Sequence, residues 1–452
     1  MKSRTNLPVA VLAALLFVTL TLAAGNADAL TIKRMTLQNG AVLLVSPQHQ
    51  LPMLTIDIAF DAGARRDPKG KAGLASLTAS CLTLGTKTLT PEQFNQKVDF
   101  MGSSVSVGAG RDYAVASLTA LKKYEDQTLN LLAEALTEPR LDDKDILRKR
   151  GEQVAGIKSS LEDPGYVASV TFAKKLFDDG PYGNPINGTV ESVEKLSPAD
   201  VRAFYKTYYK MGNAVIAVAG DVNPEEIRAK LDKAFAALKG TVRPQAAPEP
   251  PKVAPGIHLA LVDRNVAQAN IIMGFEGIAR SNPDFYRLQV MNYVLGGGGF
   301  ASRLMQTVRT RAGLAYSVYS GFDAGKFAGP FGVVLQTKNR SANQAIRLVL
   351  QQLDEMREKP MTDKELAAAK KFLVGSFPLK LDRLSSIANF MLQVELNKLG
   401  LNYADEYPKL IDAITTQQTL EVARKYLHPD AIIVVVVANQ QKAAVKLANL
   451  EK

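Results

Sequence analysis

The order of predicted helices and strands in this 452-residue chain runs through once and then repeats. The segment 140–144 (RLDDK) is echoed by 360–364 (PMTDK), and the apolar run 213–218 (NAVIAV) is echoed by 430–435 (DAIIVV), at an offset of roughly 217 to 220 residues. Between the two copies lies Thr241–Gly256, which contains five prolines and almost nothing that could pack. Such a segment is typical of an extended, semi-rigid linker.

The repeat predicts an α+β protein made by tandem duplication of one domain. Each copy combines alternating strand patterns with helical ones, which indicates a mixed sheet covered by helices. We expect a first lobe over residues 30–240, the proline-rich linker over 241–256 and a second, similar lobe over 257–452. Paired lobes commonly enclose a cleft, and a cleft between domains is the usual place for a ligand.

The first 29 residues have the pattern of a secretory signal peptide. A basic start, Met1–Arg4, precedes the apolar run Leu7–Ala24 and the small-residue site Ala27-Asp28-Ala29. We therefore expect cleavage after about Ala29 and a periplasmic mature protein, with an uncleaved N-terminal anchor as the alternative. No later stretch approaches the ~18 to 20 apolar residues of a membrane span, so the mature chain is predicted to have none.

Composition narrows the classes of site and partner. Cys81 is the only cysteine of the chain, so no intramolecular disulfide can form, and apolar cores must hold the exported protein together. The formal net charge of +11 could attract acidic peptides or an acidic partner. Lys and Arg are spread along the chain without a basic run interleaved with aromatic residues, so we expect no binding to nucleic acid.

The stretch 295–319 (LGGGGFASRLMQTVRTRAGLAYSVY) carries the densest chemistry. Helical spacing predicts a helix over 300–310, Gly313 ends it, and a strand follows, so that Arg309 and Tyr316 can converge on one point. Together they offer a permanent cation and a phenol donor, which suit a carbonyl oxygen that is becoming negative. The alternative is structural, because an Arg is favoured at a helix C-terminus and a Tyr that opens a strand is usually half-buried.

The four glycines at 296–299, at the start of this stretch, invite comparison with a phosphate-binding loop. No Gly-Lys-Ser/Thr follows them, and their spacing does not fit a dinucleotide fingerprint. We interpret the run as a turn.

A second stretch resembles the zinc helix of the insulinase/pitrilysin peptidases, the inverzincin family that includes the mitochondrial processing peptidase. Their motif has the form G-L-A-H-x-x-E-H-x-x-x-x-G-T, and Gly73–Thr86 reads GLASLTASCLTLGT. The frame matches, but Ser76 and Ser80 stand at the two histidine positions and Ala79 at the glutamate. The family's third ligand, a Glu on a later helix, falls at Gly156. The resemblance covers the mature chain and implies a mitochondrial-processing-peptidase/LuxS-like metallohydrolase fold.

These replacements remove the groups that bind and use zinc. A serine hydroxyl is a poor zinc ligand, and an alanine methyl cannot accept a proton from a metal-bound water. The three histidines, His49, His258 and His428, are far apart in sequence and cannot rebuild the site. We expect no metal or other cofactor on this chain and no catalytic residue of its own.

The Arg–Tyr pair, in contrast, matches the pattern of the family that the chain resembles. Active relatives use an Arg and a Tyr seven residues apart in the second lobe to hold the substrate near the scissile bond, and Arg309 and Tyr316 have that spacing. Arg311 is the fallback if the register is off. The family also contains pairs in which one subunit carries the zinc motif and the other the Arg–Tyr pair.

The resemblance therefore implies a catalytically silent, substrate-binding subunit. Its partner would be a zinc-bearing homologue, and its substrate an unfolded peptide. One alternative is a non-enzymatic scaffold or peptide-binding protein on the same fold. A further alternative, which the missing zinc ligands disfavour, is an active zinc peptidase by itself.

Overall fold

Two mixed β-sheets form the framework of the protein. The computed structural model describes residues 30–450, so the predicted signal peptide lies outside the described residues. The first sheet has the strand order β1-β2-β6-β3-β5-β4 and the second the order β7-β11-β8-β10-β9. The strands are β1 Lys33–Thr36, β2 Val42–Pro47, β3 Met53–Phe60, β4 Ser104–Ala109, β5 Ala114–Leu121, β6 Val215–Gly220, β7 Gly256–Asp263, β8 Gln268–Glu276, β9 Ala315–Phe322, β10 Pro330–Lys338 and β11 Ala431–Ala438.

The second sheet repeats the pairing of the first, with β1 as an extra edge strand. β2 runs parallel to β6, just as β7 runs parallel to β11, and the remaining neighbours in both sheets are antiparallel. The central strands β6 and β11 read VIAVAG and AIIVVVVA and are buried almost throughout, because both faces of each sheet are covered. This repeated topology confirms the α+β class and the duplication.

Helices cover both faces of the sheets, and several begin at sequence-encoded caps. Thr90, Ser197, Thr362 and Thr415 each accept a hydrogen bond from the backbone three residues on, in a capping box. The α-helices span Leu74–Cys81, Pro91–Phe100, Glu125–Thr137, Asp143–Ser160, Pro164–Phe177, Val190–Glu194, Pro198–Tyr208, Pro224–Ala234, Phe285–Asn292, Ala342–Glu358, Asp363–Ser376, Leu384–Leu396, Tyr403–Asp412, Thr416–Tyr426 and Gln440–Ala443. Over 30–450, none of them combines the length and the apolar character that crossing a bilayer requires.

Each half of the chain sends one helix onto the sheet of the other half. The helix Pro164–Phe177 packs on β8 and β11, and Leu384–Leu396, 220 residues later, packs on β2, β3 and β6. We call them the exchanged helices. Their buried side chains are Val167, Ala168, Phe172 and Leu176 on the first and Ile387, Ala388, Met391 and Leu392 on the second. The lobes are therefore interlocked by apolar packing and not joined by the linker alone.

The proline-rich segment has no helix or strand before Gly256, yet it is fastened to the protein. Val242 is buried, and its backbone N–H donates to the side chain of Asn213. Val253 packs against the apolar cluster under the first exchanged helix. The expectation that almost nothing in this segment could pack was wrong, because one valine is buried and a second, between Pro251 and Pro255, packs against an apolar cluster.

A cluster of polar and aromatic residues, three of them buried, joins the two lobes where two hairpin turns meet. The Tyr182 hydroxyl donates to Asp112 Oδ1 at 2.7 Å and accepts the Phe327 N–H at 3.0 Å, while Asp112 Oδ2 accepts the Lys326 N–H at 2.8 Å. The fully buried Arg65 guanidinium lies 5.7 Å from the centre of the Phe327 ring. We call these five residues the interlobe cluster. It ties the β4–β5 turn of the first sheet to the β9–β10 turn of the second.

Candidate functional site

The helix Leu74–Cys81 holds the positions that correspond to the family's zinc motif. Gly73 precedes it with φ of 92°, a conformation that favours glycine. The Asp67 carboxylate accepts the N–H groups of Gly73 at 2.8 Å and Ala75 at 2.7 Å, which satisfies part of the helix N-terminus. Burial raises the pKa of Asp67 to about 7 in spite of these bonds. The frame of the motif is thus fixed by a buried cap.

On that helix, the three replaced positions make only structural contacts. Ser76 Oγ donates to Asn187 Oδ1 at 2.8 Å, and Ser80 Oγ donates to the Leu77 carbonyl of its own helix at 2.8 Å. Ala79 is fully buried in the core of the first lobe. Both hydroxyl protons are therefore already engaged, and the methyl of Ala79 has no acid–base chemistry.

Gly156 lies on the neighbouring helix, Asp143–Ser160, and is exposed. A Cβ built there would meet nothing within 4 Å, so open space stands where the family's glutamate would project. One turn earlier, Gln153 Nε2 donates to the carbonyls of Gly73 at 3.0 Å and Asn187 at 2.8 Å and ties the two helices together. The two helices therefore form a fixed corner of the first lobe. This corner has no zinc-binding side chain at Ser76, Ala79, Ser80 or Gly156.

The histidines have other contacts. His49 Nδ1 lies 2.7 Å from Asp221 Oδ1, His258 Nε2 lies 2.7 Å from the Ala254 carbonyl, and His428 packs edge-on against Phe275. Within the described residues, no group of three or more His, Cys, Asp or Glu side chains is placed to hold a metal ion. The donor set at the first-lobe corner does not fit zinc, which requires imidazole, thiolate or carboxylate ligands.

The segment before Arg309 differs from the predicted α-helix. Gly299–Ala301 forms a 3-10 turn and Met305–Arg311 a π-helix, which ends at Gly313 with φ of 63°. π-Helical turns are rare and are often found at functional sites. A Cβ at Gly296 would lie 2.3 Å from Ser320 Oγ, so the glycine there permits close approach to β9. The predicted glycine turn is partly π-helical, over Tyr293–Gly297.

The structure brings Arg309 and Tyr316 together. The Arg309 guanidinium carbon lies 4.6 Å from the centre of the Phe300 ring and 4.7 Å from that of Tyr316, so the cation contacts two aromatic rings. Tyr316 is 81% exposed and Phe300 64% exposed. Tyr316 is therefore not a half-buried core residue. Over 30–450, no carboxylate pairs with Arg309, which leaves its N–H groups free for a ligand.

A β-bulge explains the outward direction of Tyr316. Ala315 pairs with Thr337 and Val318 with Leu335, so β9 has one residue more than β10 between these pairs. Tyr316 and Ser317 are consequently both exposed, whereas Val318 returns to the core. Bulges at sheet edges re-aim side chains in this way, and β9 is an edge strand.

Sequence reasoning missed the residue that anchors this segment. Arg303 donates to both oxygens of Glu365, Nε to Oε1 at 2.8 Å and Nη2 to Oε2 at 2.9 Å. This bidentate pair lowers the pKa of Glu365 to about 2. Glu365 is also the capping-box residue of the helix Asp363–Ser376, so the ion pair fixes the π-helical segment to the start of that helix.

Arg311, the fallback, is exposed and makes no ion pair, hydrogen bond through its side chain or ring contact in the described part of the chain. Of the two arginines, only Arg309 lies against Tyr316. The geometry therefore favours the Arg309–Tyr316 register.

Comparison with known proteins gives consistent results along the chain. Residues 43–190 match the family model described as "Insulinase (Peptidase family M16)", and residues 195–373 match "Peptidase M16 inactive domain". The chain is 29% identical over 421 residues to "Non-peptidase homolog YmxG" of Helicobacter pylori, covering 92% of this chain and 96% of the relative. It is 27% identical over 414 residues to an "Uncharacterized zinc protease" of Streptomyces coelicolor, covering 90% of each.

Solved structures share the fold. A peptidase M16 inactive domain from Pseudomonas fluorescens superposes with a TM-score of 0.84 at 29% identity, over 90% of this chain and 98% of that one. A chain of complex III from Candida albicans superposes with a TM-score of 0.76 at 17% identity, over 93% of this chain and 99% of that one, which shows the fold alone.

Proposed function

The chain belongs to the insulinase-type M16 peptidase family, and from that premise we propose that it is a catalytically silent, substrate-binding subunit. It completes a peptide-degrading metalloendopeptidase when it joins a zinc-bearing homologue. The one observation that carries this proposal is the contrast between its two candidate sites. The zinc positions are replaced and engaged in structural contacts, whereas Tyr316 is exposed and the half-buried Arg309 lies against its ring without an acidic partner among residues 30–450.

The pair would act on the carbonyl of the bound peptide. Arg309 contacts the rings of Phe300 and Tyr316, and its N–H groups make no described hydrogen bond or ion pair, so they can donate to a peptide carbonyl. The Tyr316 hydroxyl adds a neutral donor. Donors fixed in advance around a carbonyl oxygen stabilise the negative charge that develops there during hydrolysis. The attacking water and its metal belong to the partner in this proposal.

The names of the relatives suggest two different activities, a non-peptidase role first and a zinc protease second. The Helicobacter pylori relative is named a non-peptidase homolog and the Streptomyces coelicolor relative a zinc protease. Ser76, Ala79, Ser80 and Gly156 support the non-peptidase role for this chain, because none of these side chains can bind zinc as the family does.

The site of action follows from the N-terminal pattern. We infer export to the periplasm with removal of residues 1–29, where the substrates would be unfolded peptides. Detection of the intact N-terminus on the mature protein by mass spectrometry would contradict this part of the proposal.

The test compares each chain alone with the mixture. The partner to try is an M16 homologue with an intact inverted zinc motif encoded in the adjacent reading frame, co-expressed and assayed on unfolded peptides. We expect cleavage by the mixture only, no stoichiometric zinc on this chain, and turnover about 10²- to 10³-fold lower with Arg309→Ala or Tyr316→Phe in a complex that still assembles. Arg311→Ala is the matched control and should cleave at the wild-type rate.

Three results would point elsewhere. Chelator-sensitive cleavage by the isolated chain would show an active zinc peptidase. A stable complex that cleaves nothing, or the lack of any zinc-bearing partner, would favour the scaffold or peptide-binding alternative. Wild-type turnover in both Arg309→Ala and Tyr316→Phe would remove the assigned role from the pair.

A further inference from the structure

A cavity of about 380 Å³ lies in the second lobe, away from Arg309 and Tyr316. It is bordered by the loop that carries Arg280, the helix Phe285–Asn292, the turn Phe377–Leu381, the second exchanged helix and the helix Tyr403–Asp412. Its lining includes the cations Arg280 and Lys380 and the rings of Phe377, Phe390, Tyr403 and Tyr407. The volume is in the range of small-ligand sites.

Aromatic rings form the apolar part of this cavity. Phe377 stacks on Tyr407 with ring centres 4.4 Å apart, and Phe390 stacks on Tyr403 with centres 5.9 Å apart. Phe377 also meets Phe390 edge-on at 5.9 Å. The four rings lock one another in place, so this wall is rigid and suited to an apolar or aromatic group.

Two cations line the cavity, and no carboxylate does. Arg280 and Lys380 make no ion pair in the part of the chain that the structure describes. Burial, and then the charge of Arg280, lower the pKa of Lys380, which shows that the two cations are close enough to repel each other. An arrangement of like charges without an acidic partner is unfavourable until an anion arrives.

Arg280 is held in position by its neighbours and still has guanidinium N–H donors that make no described hydrogen bond. Its guanidinium carbon lies 3.8 Å from the centre of the Phe285 ring, and its backbone N–H donates to the Gly325 carbonyl at 2.8 Å. Nη2 makes two long contacts of 3.3 Å, to the hydroxyls of Tyr286 and Tyr403. No described contact uses Nε or Nη1, so a planar anion can be bound through two parallel hydrogen bonds.

A buried hydroxyl in the same cavity also lacks a partner. Tyr407 is 2% exposed, and its hydroxyl makes no hydrogen bond of acceptable geometry within residues 30–450. The side chain of Gln289 lies beside it, but Gln289 Oε1 is likewise unsatisfied. Two polar atoms at this side of the cavity, the Tyr407 hydroxyl and Gln289 Oε1, are thus without a partner among residues 30–450.

We propose that this cavity binds a carboxylate that carries an apolar or aromatic group. The carboxylate is held by Arg280 and Lys380, and the apolar group packs on the rings of Phe377, Phe390 and Tyr407. Two sources share this chemistry, a free aromatic acid and the C-terminal residue of a peptide. The proposal does not depend on a partner subunit or on Arg309 and Tyr316.

The experiment measures binding to the full mature chain by calorimetry. The probes are N-acetylphenylalanine, its uncharged amide, and one apolar pentapeptide ending in phenylalanine as the free acid or the amide. We expect each free acid that binds to lose about 10- to 100-fold in affinity when it is converted to the amide, because the charge-assisted bonds are lost. Binding of the small acid identifies a free-acid site, and binding of the pentapeptide acid alone identifies a peptide-terminus site.

Variants assign the binding to this cavity. Arg280→Gln and Lys380→Gln should each weaken binding of the acid by about tenfold or more. Lys380 is exposed at the mouth of the cavity, so its variant should fold even if the Arg280 variant does not. Lys371→Gln removes an exposed cation outside the cavity and should leave affinity unchanged. Binding of neither acid, equal binding of acids and amides, or affinity indifferent to both cavity variants would overturn the proposal.

Discussion

Replacing Tyr182 by phenylalanine should loosen the contact between the lobes at one defined point. Tyr182 is 3% exposed, and its hydroxyl lies between Asp112 Oδ1, to which it donates, and the Phe327 N–H, from which it accepts. Phenylalanine keeps the ring, which packs against Phe177 and Phe327 with centres about 6 Å apart. The change therefore removes two hydrogen bonds and little else.

The expected size follows from those two bonds. A hydrogen bond to a charged group contributes about 1.5–3 kcal/mol, and a buried N–H left without a partner costs about 1–3 kcal/mol. Asp112 keeps its bond from the Lys326 N–H at 2.8 Å, so the two losses will not add in full. We take about 3 kcal/mol for the sum, which corresponds to an increase of about 100-fold in the population with this contact open.

Native-state hydrogen exchange read by mass spectrometry measures that population. Peptides covering the β9–β10 turn, residues 323–329, should lose about 100-fold in protection, while peptides from the centre of each sheet should change much less. Tyr319→Phe is the control, because Tyr319 is 52% exposed and lies on the neighbouring strand. Equal protection in the two variants would refute the reasoning, since it would mean that the hydroxyl in the interlobe cluster stabilises nothing.

Three further outcomes can be measured on the isolated chain. Phe172→Ala, in the first exchanged helix, should destabilise the protein by about 3–5 kcal/mol in urea unfolding, because the ring is buried on the other lobe's sheet; a loss below about 1 kcal/mol would deny the helix its role. Gly296→Ala should lower the melting temperature, since its new Cβ would lie 2.3 Å from Ser320 Oγ; unchanged melting would contradict the close approach. The pKa of Glu365 is lowered from 4.5 to about 2 by Arg303, so this pair stabilises the fold above about pH 4.5 and the stabilisation is lost as the pH falls towards 2. The stability advantage of the wild type over Glu365→Gln should therefore shrink over that interval, and an advantage independent of pH would refute the assignment.

Local signals in the sequence predicted the elements well where the chemistry is local. Pro91–Phe100 begins at the capping box of Thr90, and Thr416–Tyr426 begins at that of Thr415, so the start of each helix follows from nearby residues. The repeat was also visible, because fully apolar strands such as β6 and β11 leave a strong pattern. The helix Tyr403–Asp412 has no comparable signal in the sequence, since it contains Pro408.

Long-range partners could not be predicted from the same signals. The spacing of apolar residues along an amphipathic helix shows which face is buried, but not against which sheet it packs. The packing of Pro164–Phe177 on the sheet of the other lobe therefore cannot be predicted from that spacing. The Arg303–Glu365 pair joins residues 62 positions apart, and nothing in the spacing announces it. The loss of the zinc ligands, in contrast, can be read directly from the sequence. A zinc ligand must be a particular residue type at a particular motif position, and no knowledge of long-range contacts is needed to see that it is absent.

Several features around Arg309 reduce the stability of the fold, and a purely structural role does not explain them. The π-helical turn Met305–Arg311, the bulge at Tyr316 and the exposed rings of Phe300 and Tyr316 each lower stability or leave apolar surface in water. An ordinary α-helix followed by a regular strand would point Tyr316 into the core and would make the folded protein more stable. The corner at Ser76 and Ser80 has no such features, because its hydroxyls are satisfied within the fold. Strain and exposure are thus concentrated where a ligand can compensate for them, which is the physical reason to look for peptide binding in the second lobe and for zinc on another chain.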